Sequence, residues 1–210
     1  SMFSIAYDDV PVSIWLTSWS PGSTGLTDLQ IEGNDTKKYE KVSYLGIETV
    51  GADLIDATSM THFNIDVWTP NMTVFRVKLV DFGPDGNYSP GVDDSEYELS
   101  FVPVQEGWNT YKIPLADFVG LASTEHIAQL ILSGDPWGSG VFYMDNVYFS
   151  NDIPVISATI NQSGLPEWCQ GVKTLYAKIN PDAVGPVSFS WDNDLGNTQE
   201  VLALDNGTFS

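Results

Sequence analysis

The sequence predicts an all-β protein made of a larger β-sandwich followed by a smaller one. Three observations carry this. Helical periodicity is almost absent along the 210 residues, short runs rich in Val, Ile, Phe, Tyr and Thr recur, and clusters of Gly, Pro, Asn and Asp separate them.

Nine such runs precede residue 150: "FSIAYD", "TDLQIE", "KVSYLGIET", "THFNIDVW", "VFRVKLVD", "YELSFV", "WNTYKIPL", "IAQLILS" and "VFYMDNVYF". They are enough for a two-sheet sandwich. "PLADFVGL" reads as a short helical turn. "SNDIPVI" contains a linker, and "VISATIN", "KTLYAKI", "VSFSWDN" and "EVLAL" then read as the strands of a second unit. The expected boundaries are 3–150 and 154–210. Ser1-Met2 reads as a scar left by excision, and "NGTFS" stops inside what reads as a strand. A piece of a longer protein, attached there to further domains, is therefore expected.

Charge narrows the partners. Eight Lys and Arg stand against 28 Asp and Glu, a formal net charge of −20. Such a field repels phosphate backbones and anionic lipid heads, which argues against nucleic acid and membrane surfaces and leaves neutral ligands and divalent cations. No apolar stretch approaches the length of a membrane span. The single cysteine, Cys169, has no partner within the chain. It is either a small buried hydrophobe or half of a pair completed elsewhere.

Successive strand residues point to opposite faces, so alternation divides each run in two. Phe75, Val77 and Leu79 share one face, and Arg76 and Lys78 the other. Ala128, Leu130 and Leu132 alternate with Gln129, Ile131 and Ser133, while Leu45 and Ile47 alternate with Tyr44, Gly46 and Glu48. Tyr97, Leu99 and Phe101 alternate with Glu98 and Ser100. If these four strands form one sheet, its outer face carries Tyr44, Glu48, Arg76, Lys78, Glu98 and Gln129. Sugar hydroxyls both donate and accept, and suit such a mixed field, in which Arg is a planar two-pronged donor. The same pattern also fits a solvated face laced with cross-strand ion pairs.

"EGNDTKKYEKVSYLGIE", "MTHFNIDVWTPNMTVFRVKLVDFG", "EGWNTYKIPLADF", "IAQLILSG" and "VFYMDNVYF" together resemble a non-catalytic jelly-roll carbohydrate-binding module, broadly of the family 4 and family 16 type. Modules of this type are attached to secreted bacterial glycanases and surface glycan-binding proteins. The resemblance spans residues 3 to 149 and implies two antiparallel sheets, one of them with "SYLGIE", "IAQLILS", "FRVKLVD" and "YELSFV" and facing the sugar. It implies a neutral polysaccharide as ligand, with β-1,3-glucan of the laminarin kind the best guess, and a secreted or cell-surface location. "CQGVKTLYAKI", "VSFSWDND" and "NGTFS" resemble a truncated PKD or immunoglobulin-like spacer. In that family a second Cys often follows the final strand, which would leave Cys169 unpaired here and Trp191 in the core.

Rings stack on the CH-rich faces of pyranoses and expel water. Trp19 in "SIWLTSWSPG" and Trp137 in "GDPWGSG" sit among Gly, Ser and Pro, where no strand alternation buries them, and both are expected to be exposed platforms. Trp15 is expected in the core, Trp108 against a strand edge, and Trp68 on the sheet opposite the ligand. The expected carbohydrate contacts are thus Trp19, Trp137, Arg76, Lys78, Tyr44, Glu98 and Gln129. Lys37, Lys38 and Tyr39 either touch sugar or pair with nearby acids. The resemblance also implies a structural Ca²⁺ between the first and last strands, which carries over to Asp9 and Asp145 with Asp8 as substitute. "DFGPDGNYSPGVDD" reads as a solvated loop.

Two other classes compete. A jelly-roll glycanase needs two carboxylates across the scissile bond. The E-x-D-x-x-E signature of jelly-roll β-glucanases is absent, and His62 and His126 do not have the spacing of a lyase or metal site. A structural or adhesion spacer would bury Trp19 and Trp137.

Overall fold

The computed structural model describes residues 1–151, together with the backbone of three strands further on. The chain divides into two units, residues 1–151 and 152–210.

The first unit holds nine strands: β1 Gly25–Ile31, β2 Asn34–Val42, β3 Tyr44–Glu48, β4 His62–Trp68, β5 Val74–Asp81, β6 Ser95–Phe101, β7 Trp108–Pro114, β8 Ile127–Asp135 and β9 Gly140–Ser150. They form two antiparallel sheets, one of order β1-β2-β9-β4-β7 and one of order β3-β8-β5-β6. This is the two-sheet sandwich expected, and the second sheet is the one expected to carry the ligand face. "PLADFVGL" contains a single 3-10 turn, Leu115–Asp117. In the second unit β10 Thr159–Ser163, β11 Lys173–Lys178 and β12 Glu200–Ala203 form an antiparallel sheet. "VSFSWDN", Cys169 and Trp191 lie outside the described residues.

The inward residues of both sheets meet in one core. Phe75 of β5 packs edge-on to Phe142 of β9, with ring centroids 5.4 Å apart, and Phe142 stacks on Tyr39 of β2 at 5.1 Å. All three are fully buried, as are Leu45, Ile47, Val77, Leu79 and Leu132. Each such side chain contributes about 1.5–3 kcal/mol by leaving water. The alternation read from β3 and β5 is therefore what folds the outer face outward.

Three expectations are corrected. "FSIAYD" is not a strand. It makes a single bridge, Phe3 to Val147, before turning. β2 was not expected, because "NDTKKYEKV" shows no apolar alternation. It is anchored in the core by Tyr39 and Val42, and its buried Lys37 pairs with Asp28 at 2.8 Å and lies over the Phe3 and Trp15 rings at 4.8 and 4.3 Å. Finally, Ala128 does not share the core face of Leu130 and Leu132. A register shift between Val80 and Asp81 puts Ile127 in the main core, and Ala128 joins Val80 and Phe82 in a separate small cluster.

Candidate functional site

The outer face of the β3-β8-β5-β6 sheet is ordered by its register into three rows. The first runs Tyr44, Ser133, Arg76, Ser100; the second Gly46, Ile131, Lys78, Glu98; the third Glu48, Gln129, Val80, Glu96. Neighbouring strands lie about 4.8 Å apart, so each row is a ladder of side chains crossing the sheet.

One wall rises beside β3. Thr17 donates its backbone N–H to the Gly46 carbonyl at 3.0 Å, Gly46 donates its own to Ser20 Oγ at 3.0 Å, and Ile14 bridges Glu48. This lays the Trp19 indole over the bare backbone of Gly46, where a Cβ would overlap the ring. Trp19 Nε1 donates to Glu48 Oε1 at 3.1 Å, and Gln129 Nε2 donates to the same oxygen at 2.9 Å. Trp137 comes from the turn after β8. The Asp135–Pro136 peptide is cis, Gly138 has φ +75°, and Gly138 donates its N–H to the Val42 carbonyl at 2.9 Å.

Tyr44 lies between the two indoles, 6.4 Å from Trp19 at 18° and 6.1 Å from Trp137 at 43°. Trp19 is 40% exposed and Trp137 62%. Three rings therefore stand in file along one edge of the face.

The polar side is built on ion pairs. Arg76 Nη2 donates to Asp135 Oδ2 at 2.7 Å, and its Nε lies 4.0 Å from Glu98. Lys78 Nζ donates to Glu96 Oε1 at 2.9 Å. Lys78 lies directly across from Glu98. It reaches diagonally to Glu96 instead, and Glu48 is held by Trp19 and Gln129.

Two clefts result. One, of about 470 Å³, is lined by Trp19, Tyr44, Arg76, Lys78, Glu98 and Trp137, with Ile131, Ser133 and Asp135. The other, of about 580 Å³, shares Trp19 and Ile131 and adds Glu48 and Gln129. Six of the seven residues named from sequence, Trp19, Trp137, Arg76, Lys78, Tyr44 and Glu98, line the first cleft, and Gln129 lines the second. Asp135, Ile131 and Ser133 also line the first cleft and were not among the residues named from sequence. The last two sit on the outward side of the alternation, and Asp135 ends the same strand, so the pattern contained them.

The remaining candidates lie elsewhere. Tyr39 is fully buried and donates its hydroxyl to the Trp15 carbonyl at 2.8 Å. Burial, helped by the Asp28 charge, pushes that hydroxyl well above its ordinary pKa. Lys37 pairs with Asp28 and Lys38 with Glu40, so the acid-pairing alternative holds for both. Trp15 packs against the core as expected. Trp108 is not packed away, being 47% exposed. It lies opposite Trp68, which lies opposite Tyr143, in a row across the outer face of the five-stranded sheet.

Around the buried Asp145 the side chains form a partly buried hydrogen-bonded group. Asp145 accepts from Asn34 Nδ2 at 2.6 Å, and Asn146 Nδ2 donates to Asp66 at 2.8 Å. Desolvation above all, with the charges of Asp66 and Asp35, raises the Asp145 carboxyl above its ordinary range. Asp9 accepts from the Ser4 backbone at 3.2 Å and is linked to this group through Ser4 and Asn146, not directly to Asp145. Asp8 contributes its carbonyl, which accepts from the N-terminus at 3.3 Å. Among the described residues no three His, Cys, Asp or Glu are grouped to hold a metal. The Asn34 Oδ1, beside Asp145, is buried without a hydrogen-bond partner.

With this geometry in view, known structures supply a relation. A family 30 carbohydrate-binding module of a cellulosomal cellulase from Clostridium thermocellum is 15% identical, with 70% of this chain and 95% of that one covered and a TM-score of 0.54. The chain has the jelly-roll fold of carbohydrate-binding modules. A second structure of a family 30 module is 15% identical, over 73% and 89% of the chains, with a TM-score of 0.54. A family 11 module from the same organism, in complex with a β-1,3-1,4-mixed-linked tetrasaccharide, is 18% identical over 69% and 94%, with a TM-score of 0.48. At these identities the likeness is one of fold. No protein-family model matches the sequence, and no curated protein matches it. Among the described residues no helix is long and apolar enough to cross a membrane.

Proposed function

We propose that the first unit binds a neutral polysaccharide without cleaving it, along the outer face of the β3-β8-β5-β6 sheet. The observation that carries this reading is the file of Trp19, Tyr44 and Trp137 beside Arg76 and Glu98 over a single groove. Rings take the apolar faces of pyranoses, and the flanking carboxylates, guanidinium and amide take the hydroxyls. Neutrality follows from the charge count: Glu48, Glu96, Glu98 and Asp135 line the groove against Arg76 and Lys78. β-1,3-glucan of the laminarin kind is the ligand proposed, and an attached enzyme or surface protein is what the module would bring to it. The named structures of the same fold are binding modules, which supports this class.

Catalysis is disfavoured by the setting of the acids. A general acid is commonly kept protonated by an apolar enclosure or a neighbouring carboxylate, whereas Glu98, Asp135 and Glu96 have side chains 37%, 40% and 56% exposed and each faces a cation. A pure spacer is disfavoured by the exposure of both indoles it would bury. The calcium expected at Asp9 and Asp145 is proposed as a structural ion only, supported by the partnerless Asn34 oxygen beside Asp145.

The test is titration of laminarin, mixed-linkage β-glucan and acidic polysaccharides, followed by Trp fluorescence and calorimetry, with products assayed in parallel. Saturable binding of a neutral glucan without products is expected. Silence across the whole panel, or hydrolysis, would overturn the reading.

A further inference from the structure

The groove continues past the end of β5. Its second cleft extends from Trp19 and Ile131 over Val50 and Phe82 to Tyr88, in the segment read from sequence as a solvated loop. Phe82 lies six residues beyond Arg76, about 20 Å of extended chain, so this end is well separated from the first row. Its floor is apolar and built: Val80, Phe82 and Ala128 are buried, with Val50, Leu54 and Ile131 packed on them.

Tyr88 stands over this floor, 64% exposed, with its ring 5.5 Å from that of Phe82. The loop that carries it is tied down. Asp81, itself 1% exposed, accepts the backbone N–H groups of Gly83 and His126. Ser89, next to Tyr88, donates its N–H to Asp94 Oδ2 at 2.8 Å, and Gly83 at φ +66° packs so close to Asp93 that a Cβ would meet its carbonyl at 2.7 Å. A single exposed ring is ordinary on a protein surface. This one opens into the cleft that already holds Trp19.

We propose that Tyr88 is a further stacking platform, reached only by an oligosaccharide long enough to pass Trp19, so that the groove discriminates by chain length. The inference rests on the glycan-binding reading above. Glu48, Glu96 and Gln129 are the polar groups of this cleft, and among its described lining residues none is a cation. All three accept from sugar hydroxyls, and the two carboxylates repel carboxylated or sulfated units, so the added affinity comes from neutral sugar.

The experiment is calorimetry of the whole chain with a ladder of laminari- and mixed-linkage oligosaccharides, from disaccharide to heptasaccharide. For the wild type, affinity rises with length and then levels off. Tyr88→Ala removes about fivefold of that rise for the long members, the scale of one aromatic contact, and leaves the short members unchanged. Tyr88→Phe keeps the rise, because the ring remains. Trp108→Ala, on the other sheet, changes neither.

A full length dependence in Tyr88→Ala, or equal weakening at every length, overturns this proposal alone. If the wild type binds no member of the ladder and no polysaccharide, the glycan reading fails and this proposal falls with it.

Discussion

The Trp19 indole occupies the space that a side chain at position 46 would need, so the two residues form one part of the groove wall. Gly46 lies on β3 opposite Ile131 and has its N–H and carbonyl taken by Ser20 and Thr17. A methyl group there has nowhere to go except into the ring. Gly46→Ala is therefore expected to tilt Trp19 off the sheet, break its bond to Glu48 and weaken glucan binding about tenfold, close to Trp19→Ala itself. Because Trp19 is already partly exposed, folding should survive. A red-shifted Trp emission with a preserved cooperative melt would accompany the loss. Unchanged affinity in Gly46→Ala would remove Trp19 from the site.

Arg76 offers a cleaner separation of binding from stability. Its partners Asp135 and Glu98 are well exposed, and such pairs contribute roughly 0–1 kcal/mol to folding. Arg76→Ala should lower Tm only slightly while cutting glucan affinity severalfold. Arg76→Lys should restore little, since an ammonium cannot present two parallel donors. Affinity unchanged in Arg76→Ala would make the residue a fastener for the Trp137 turn and not a ligand contact.

These positions differ in how far the sequence announced them. Period-two alternation was sufficient to put Tyr44, Arg76, Lys78, Glu98 and Gln129 on one side, because the opposite side had to supply Leu45, Val77 and Leu79 to the core. Alternation says nothing about register. Lys78 has Glu98 directly across and Glu96 on the diagonal, and only the assembled sheet shows that it takes Glu96. β2 was illegible for a different reason: its buried Lys37 is stabilised by Asp28, Phe3 and Trp15, all distant in sequence or on another strand. Tyr88 was hidden in a loop whose form depends on backbone bonds to Asp81 and Asp94, which no composition rule reveals.

The charge of the groove sets the response to salt and to acidic glycans. Arg76 and Lys78 are already paired within the face, so a neutral sugar forms no new ion pair with them. Laminarin affinity should change by less than about twofold between low salt and about 0.5 M NaCl, where charge attraction is screened. Polygalacturonate or alginate should not compete at low salt. Strong, salt-sensitive binding of either would show that the ion pairs open for an anionic ligand.

Asp145 carries a pH prediction. Burial, with Asp66 and Asp35 nearby, raises its folded pKa above the unfolded value of about 3.9. The folded state thus holds the proton more tightly than the unfolded one. By linkage, the stability this group confers is full below about pH 4 and is lost as pH rises through the raised folded value. Asp145→Asn lacks that loss, while its side-chain oxygen can still accept one of the two hydrogen bonds made by Asn34 and Asn146. In chelator, the melting temperature of the wild type minus that of Asp145→Asn should therefore fall as pH rises above about 4 and level off once pH has passed the raised folded value. A structural calcium ion would oppose the trend, since it favours the ionised carboxylate, and millimolar calcium should then raise the wild-type melting temperature most once pH has passed that value. A difference independent of pH in chelator would sink the strained-carboxylate account. Calcium without effect at any pH would leave Asp145 as a hydrogen-bonded anchor between β2 and β9.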